Sequence, residues 1–213
     1  MDPGDCLNDF PSMDKVISSV EEAYKSSVEF DFLTLSGNGE PTLYPWFAEL
    51  VDKLVEIRNR FGSEVKMTLL SNSTGLLNHE VRNSISKIDF PFLKLDAGTA
   101  DTFRDINDPV GGVDFATILD QIASMKNIFI QTMLVEGSLS NVREKDLSAY
   151  FRQINRIRPK EVHIYSIDRP VPGKSISLVG PDRLNEIALQ GQKKTGVPFK
   201  AFPLYGKRRI KGG

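Results

Sequence analysis

Apolar residues recur along the chain in two alternating patterns. Between about residues 12 and 25 they are spaced three and four apart, which is typical of a helix with one buried face, and Ser12 can cap its first turn. Other segments are short runs rich in β-branched and aromatic residues, which predict strands. Helices are predicted at about 12–25, 45–61, 78–88, 100–107, 114–125, 145–157 and 181–195, and strands at 31–36, 65–70, 92–95, 127–135 and 161–167.

The alternation of strands and helices predicts a parallel sheet. A strand–helix–strand connection returns the chain in the same direction through a right-handed crossover. We therefore expect an α/β fold, a partial parallel (β/α) barrel of five strands over residues 12–202, between a mobile N-terminal segment (1–11) and a basic C-terminal tail (203–213).

Small or polar residues follow each predicted strand. Any one of these positions is equally typical of a loop in water. Because the carboxyl ends of parallel strands lie on one face of the fold, the five loops together predict a pocket. The residues at these strand ends are Ser36-Gly37, Ser71-Asn72, Asp96-Ala97, Glu136-Gly137 and Asp168-Arg169.

The first predicted strand ends in the glycine-rich loop Gly37-Asn38-Gly39-Glu40-Pro41-Thr42-Leu43. Glycines allow backbone N–H and C=O groups to approach a ligand without an intervening Cβ. A glycine loop before a helix can cradle a phosphate, but the Glu40 carboxylate would repel an anion. The loop therefore favours a ligand that carries a positive amine.

Composition excludes several classes of function. A net charge of -1 gives no general attraction to nucleic acid or membrane, and the longest apolar runs are too short to span a bilayer. One cysteine excludes an internal disulfide and a metal site built from several thiolates, and it favours a cytoplasmic setting. The four cations within residues 207–211 leave two alternatives open, contact with RNA or a solvated tail.

The loop at residues 37–43 resembles the glycine-glycine-glutamate-proline motif that follows the second strand of radical S-adenosylmethionine (SAM) enzymes. Four later blocks resemble, in order, the third to sixth strands of that family: Leu69–Thr74, Leu93–Ala97, Ile130–Val135 and Val162–Pro170. The resemblance covers about residues 12–187 and is closest to the branch called iron–sulfur oxidoreductases. It implies a partial (β/α)₆ barrel, with a [4Fe–4S] cluster on a CxxxCxxC loop after the first strand and SAM bound to that cluster.

The resemblance also implies a role for individual residues. The loop from Gly37 to Glu40 would hold the methionyl amine of SAM, and the other positions would contact its ribose, carboxylate or adenine or line the barrel. Catalytic residues stay unassigned, and no metal ligand is predicted. The implied cofactor site comprises Gly37, Asn38, Gly39, Glu40, Pro41, Thr42, Asn72, Lys94, Asp96, Gln131, Met133, Tyr165 and Ile167.

The chain departs from the family at the cluster. A cluster of this kind takes three cysteines, whereas this chain has only Cys6. We expect the first strand and the cluster loop to lie upstream of Met1. The sequence thus predicts a SAM-binding domain of unknown substrate that is inactive as given.

The missing first strand predicts an exposed edge, and two alternative functions stay open. An exposed sheet edge beside residues 31–36 would invite a dimer. The alternatives to a radical SAM domain are a cluster-free module that binds a nucleoside or a partner chain, and a metal-free barrel enzyme that uses Lys94, Asp96 and Glu40 as acid–base groups.

Overall fold

The computed structural model describes residues 10–37, 39–61, 64–167 and 176–203, and the chain divides into two compact units. The first unit comprises the residues up to 93 together with 125–128, and the second comprises 94–124 and the residues from 129 onward. Several predictions fall outside the described residues. They concern Cys6, most of the N-terminal segment, Asn38, Asp168-Arg169 and the tail beyond residue 203.

The described residues form seven α-helices and seven strands. The helices are α1 (Met13–Lys25), α2 (Phe47–Arg60), α3 (His79–Ile85), α4 (Ala100–Asn107), α5 (Phe115–Ser124), α6 (Glu144–Ile157) and α7 (Pro181–Thr195). The strands are β1 (Phe32–Leu35), β2 (Lys66–Ser71), β3 (Phe90–Lys94), β4 (Phe129–Gly137), β5 (Glu161–Ser166), β6 (Ile176–Leu178) and β7 (Phe199–Phe202). None of the described helices is both long enough and apolar enough to cross a membrane.

The first unit contains parallel strands with helices packed beside them. β1 pairs with β2, with Phe32 opposite Lys66, and β2 pairs with β3. Helix α2 buries an apolar face in which Val51 and Leu54 are 0% and 1% exposed. Among the described residues β1 pairs with β2 alone.

In the second unit, strand β4 has one face buried against a helix and one face that is only half-buried. β4 and β7 both pair in parallel with β5, and β6 lies antiparallel to the end of β4. Thr132 of β4 is fully buried and hydrogen-bonds the Tyr150 hydroxyl of α6. Gln131 and Met133, which alternate with it, are half-buried. These two predicted site residues therefore lie on the strand face opposite to this helix contact.

The predicted number of five strands is wrong, because the described residues form seven. Sequence analysis missed β7 because Pro198 and Pro203 flank it, and proline is unfavourable within a sheet. In the structure, Val162 N–H of β5 donates to the Pro198 carbonyl, next to the first paired residue of β7. The missed β6 has only three residues, too few for an alternating pattern. β3 also begins at Phe90, two residues before its predicted start at Phe92.

Candidate functional site

In the first unit, the Glu40 carboxylate joins the glycine loop to the end of β2. Its Oε1 accepts hydrogen bonds from Thr42 N–H (3.1 Å), from the Thr42 hydroxyl and from the Ser71 hydroxyl (2.7 Å). Its Oε2 accepts one from Asn72 N–H. Four donors therefore meet this carboxylate, three at Oε1 and one at Oε2. Glu40 thus fixes the loop against the end of β2.

The two glycines of this loop serve different purposes. Gly39 has a φ of 154°, which residues with a side chain rarely adopt. Gly37 has no such requirement, and a Cβ built on it would meet no atom within 4 Å. The predicted contact of the Gly37 backbone with an amine stays a prediction.

The turn after β2 holds Asn72 in place. Its Oδ1 accepts hydrogen bonds from Thr74 N–H (2.9 Å) and the Thr74 hydroxyl (2.6 Å). Ser73 adopts a left-handed φ of 74° while fully buried, and its N–H donates to the Ser71 hydroxyl. The Asn72 side chain is thus exposed and oriented through its oxygen. Its predicted contact with the ribose or carboxylate of SAM stays a prediction.

Replacing Gly75 by alanine should destabilise the first unit and loosen this cluster. An added Cβ would lie 2.0 Å from the Thr42 hydroxyl oxygen, which is itself bound to Glu40. We expect Gly75→Ala to lower the free energy of unfolding by about 2 kcal/mol in urea denaturation. In a Thr42→Gly background both obstructing atoms, the hydroxyl oxygen and the Thr42 Cβ at 2.5 Å, are gone, so the same glycine change should cost clearly less. An equal cost in both backgrounds would contradict this account.

In the second unit, the Asp96 carboxylate is the centre of a buried cluster. Its side chain is 0% exposed, and its Oδ2 lies 3.0 Å from Lys94 Nζ. Asn107 Nδ2 donates to the same oxygen (2.7 Å), and Met133 N–H donates to Oδ1 (2.7 Å). Buried charges are stable only when paired and hydrogen-bonded, and here three donors meet one carboxylate. The cluster fixes the end of β3 against β4.

The contacts of Lys94 and Tyr165 determine their protonation states. Burial by itself would lower the pKa of Lys94, but Asp96 and Tyr165 outweigh it, and the pKa lies above its ordinary value. Burial raises the pKa of Tyr165, against an opposing effect of Lys94. At neutral pH, Lys94 is therefore a cation and Tyr165 a neutral phenol. A lysine with a raised pKa is a poor general base at neutral pH.

Two asparagines complete the cluster, and sequence analysis missed both. Asn107 binds Asp96, and its own Oδ1 is buried without a partner in the described part of the chain. Asn141 accepts from Val135 N–H (2.9 Å) and donates to the Asp96 and Met133 carbonyls, both at 2.8 Å. Their signals in the sequence are the ordinary ones of turns: Asn107 precedes Asp-Pro, and Asn141 follows a loop containing glycine and serine.

The predicted site residues thus form two groups, each within its own unit. In the first unit, the structure brings Glu40, Thr42 and Asn72 together. In the second, Lys94 and Asp96 are in contact with each other, Met133 N–H binds Asp96, and Tyr165 interacts electrostatically with both charged residues. Gln131 lies beside His163 in the β4–β5 register, and Ile167 follows the end of β5. Their predicted roles stay predictions.

Curated relatives exist, but no family model matches the chain. A UPF0026 protein of Synechocystis sp. is 31% identical over 150 residues, which cover 68% of this chain and 53% of that protein. A protein named GTPase Obg, from Brachyspira hyodysenteriae, is 24% identical over 183 residues, covering 84% of this chain and 26% of that protein. The chain therefore spans about half or less of the length of these relatives.

Several solved structures match most of this chain. SuiB of Streptococcus suis bound to S-adenosylmethionine has a TM-score of 0.66 at 13% identity, over 92% of this chain and 44% of that one. A radical SAM methyltransferase from Sphaerobacter thermophilus has a TM-score of 0.59 at 15% identity, over 91% and 57% of the two chains. A domain of pyruvate-formate lyase-activating enzyme from Bacteroides vulgatus has a TM-score of 0.59 at 17% identity, over 80% of this chain and 98% of that one.

The comparisons confirm the predicted fold class. The described residues form an α/β fold of helices and mostly parallel strands, and the solved structures named above share this fold. At these identities the likeness concerns the fold alone. The fold of this chain is that of radical SAM enzymes.

Proposed function

We propose that this chain is the SAM-binding part of a radical SAM-type iron–sulfur oxidoreductase that acts on an unknown substrate in the cytoplasm. The observation that carries the proposal is the ion pair of Lys94 with the buried Asp96, which lies at the carboxyl end of β3 and is tied to β4 through Met133. Parallel α/β folds bind ligands at the carboxyl ends of their strands. A SAM-bound structure with the same fold, SuiB, supports the choice of ligand.

The residues present fit SAM. In the second unit, the Lys94 cation suits a carboxylate, and the neutral Tyr165 phenol can donate to a hydroxyl or ring nitrogen. SAM itself supplies a sulfonium whose reductive cleavage gives a carbon radical. The residues of this chain bind and orient the nucleoside and keep Lys94 protonated.

The residues present do not fit the iron–sulfur cluster. The sequence contains one cysteine, and within the described ranges no group of three or more His, Cys, Asp or Glu side chains could hold a metal ion. Thiolate ligation of such a cluster takes at least three cysteines here. We therefore derive no step through the cluster. The proposal for the chain as given is SAM binding without radical formation.

Isothermal titration of the full chain with SAM tests the proposal. We expect saturable binding, and we expect Lys94→Met to weaken it by about tenfold or more because a charge-assisted hydrogen bond is lost. Lys87→Met is the matched control, since Lys87 is exposed and paired with Asp52 away from the predicted site. Circular dichroism should show that both variants are folded. Absence of SAM binding, or equal affinities of the two variants, would count against the proposal.

A second candidate function is a cluster-free module that binds a nucleoside or a partner chain, and the single cysteine favours it. The intact mass of the protein from its own cells separates the candidates. A mass clearly above 23.8 kDa, with additional cysteines, supports the enzyme. A mass equal to it supports the module. Pairing of the β1 edge with a second copy, and contact of the basic tail with RNA, stay predictions.

A further inference from the structure

The first unit contains a groove of about 510 Å³ between its two short 3₁₀-helices and the first turns of α2 and α3. The 3₁₀-helices span Pro41–Leu43 and Thr74–Leu77 and pack against each other. Phe47 and Val81, which are both buried, line the groove. Of the described residues predicted to bind SAM, Thr42 alone lines it, so the groove is a separate feature of this unit.

Three large apolar side chains in this groove are exposed. Leu43, Trp46 and Leu77 are 58%, 47% and 50% exposed. The Trp46 ring packs edge-on against Tyr44, with 5.6 Å between the ring centroids, and the buried Tyr44 donates a hydrogen bond to the Pro11 carbonyl. Exposed apolar side chains that share one groove are typical of binding surfaces, and tryptophan is enriched at binding hot spots. The groove thus presents a supported apolar surface to a partner.

The described charged residues that line the groove are acidic. Glu49 and Glu80 line it, and no lysine or arginine of the described ranges does. Glu49 is paired with Lys53 (3.4 Å), whereas Glu80 forms no ion pair in the part of the chain that the structure describes. Carboxylates repel the phosphates of nucleic acids and of anionic lipids. They favour a protein segment that carries cations beside apolar side chains.

The chain itself contains a segment of this composition. Residues 204–211 combine four cations with three large apolar side chains, and they lie outside the described residues. Their sequence is Leu204-Tyr205-Gly206-Lys207-Arg208-Arg209-Ile210-Lys211. A segment of a second copy reaches the groove from solvent, so its binding requires no particular arrangement of the two units within one chain.

We propose that the groove binds residues 204–211 of a second copy of this chain. The apolar side chains of the segment cover Leu43, Trp46 and Leu77, and its cations lie near Glu49 and Glu80. Burial of apolar surface supplies most of the free energy of binding, while the opposite charges steer and orient the segment. This contact does not depend on whether the chain binds SAM.

Fluorescence of Trp46, the only tryptophan of the sequence, tests the proposal in the full chain. The titrant is a synthetic peptide of residues 204–213, which contains no tryptophan. We expect a saturable change in emission with a Kd of about 0.1 mM or below. Leu43→Ser and Leu77→Ser should each weaken the peptide about tenfold, because apolar contact area is lost. Leu189→Ser, at an exposed leucine of α7, is the matched control and should leave the Kd unchanged.

Two further measurements separate this contact from a general attraction between charges. A peptide in which serine replaces the leucine, tyrosine and isoleucine keeps all four cations, and it should bind about tenfold more weakly or worse. Sedimentation of the full chain should show self-association at concentrations near the Kd, and an excess of the native peptide should reverse it.

Four results would overturn the proposal. They are no saturable change in emission up to about 2 mM peptide, equal affinities of the native and the serine peptides, unchanged binding in folded Leu43→Ser and Leu77→Ser chains, and a full chain that stays monomeric at about 1 mM. Binding of the peptide to a single-stranded RNA oligonucleotide, without binding to the chain, would also overturn it and would assign residues 204–211 to contact with RNA.

Discussion

Gly98→Ala is expected to destabilise the second unit by about 3 kcal/mol. A Cβ at this position would lie 2.1 Å from the backbone nitrogen of Tyr150 and 2.3 Å from the carbonyl carbon of Ala149. These are main-chain atoms in the middle of α6, so no side-chain rotation can relieve the overlap. Either the helix moves or the segment after β3 does, and both movements disturb the Asp96 cluster.

Urea denaturation followed by circular dichroism measures this effect. Gly111→Ala is the matched control, because a Cβ there would meet nothing within 4 Å and its φ needs no glycine. We expect the control to change the free energy of unfolding by no more than about 0.5 kcal/mol. Indistinguishable midpoints for the two alanine variants would show that α6 does not pack on Gly98 as described.

Asp96→Ala is expected to cost about 3 kcal/mol of stability, because it removes a fully buried carboxylate that three donors meet. The change leaves the Lys94 ammonium without its carboxylate and the Met133 N–H without an acceptor. Asn107 Nδ2 loses its acceptor as well. The cost is thus dominated by groups that stay buried without partners, and not by the loss of attraction alone.

Thermal and urea unfolding of four variants separates these contributions. Asp101→Ala is the control, since that side chain is 87% exposed and its pair with Arg104 should contribute less than about 1 kcal/mol. The other three are Asp96→Ala, Lys94→Met and the two combined. The combined change should cost less than the sum of the single changes, because both single changes remove the same Lys94–Asp96 interaction. A loss in Asp96→Ala as small as that in Asp101→Ala would refute the buried cluster.

The long helices could be predicted from sequence because their apolar spacing persists over several turns. Helix α6 was expected at 145–157 and spans Glu144–Ile157, and α7 was expected at 181–195 with the same bounds. A short strand contains too few residues for an alternating apolar pattern to be recognised. β7 has four residues between prolines, and its strand character comes from pairing with β5 in the folded chain. Residues 199–202 thus form a strand because they pair with β5, and not because of their local β-propensity.

The polar strand ends could also be predicted, but their partners could not. Glu40 and Asp96 were expected at strand ends, and the structure shows each as the centre of a hydrogen-bonded cluster. Asp96 depends on Asn107, which is 11 residues away, and on Asn141, which is 45 residues away. Such partners are set by the packing of separate elements. Nothing in the local sequence distinguishes these asparagines from the many that occupy ordinary turns.

Asn141 constrains how this region can change in evolution. Its side chain accepts one backbone hydrogen bond and donates two, so it serves β4 and the segment after β3 as an additional peptide group would. Its reach is fixed by the few residues that separate it from Val135. An inserted or deleted residue between them would break all three bonds at once. The span at 136–140 should therefore keep its length while its side chains vary, and differences in loop length should accumulate elsewhere.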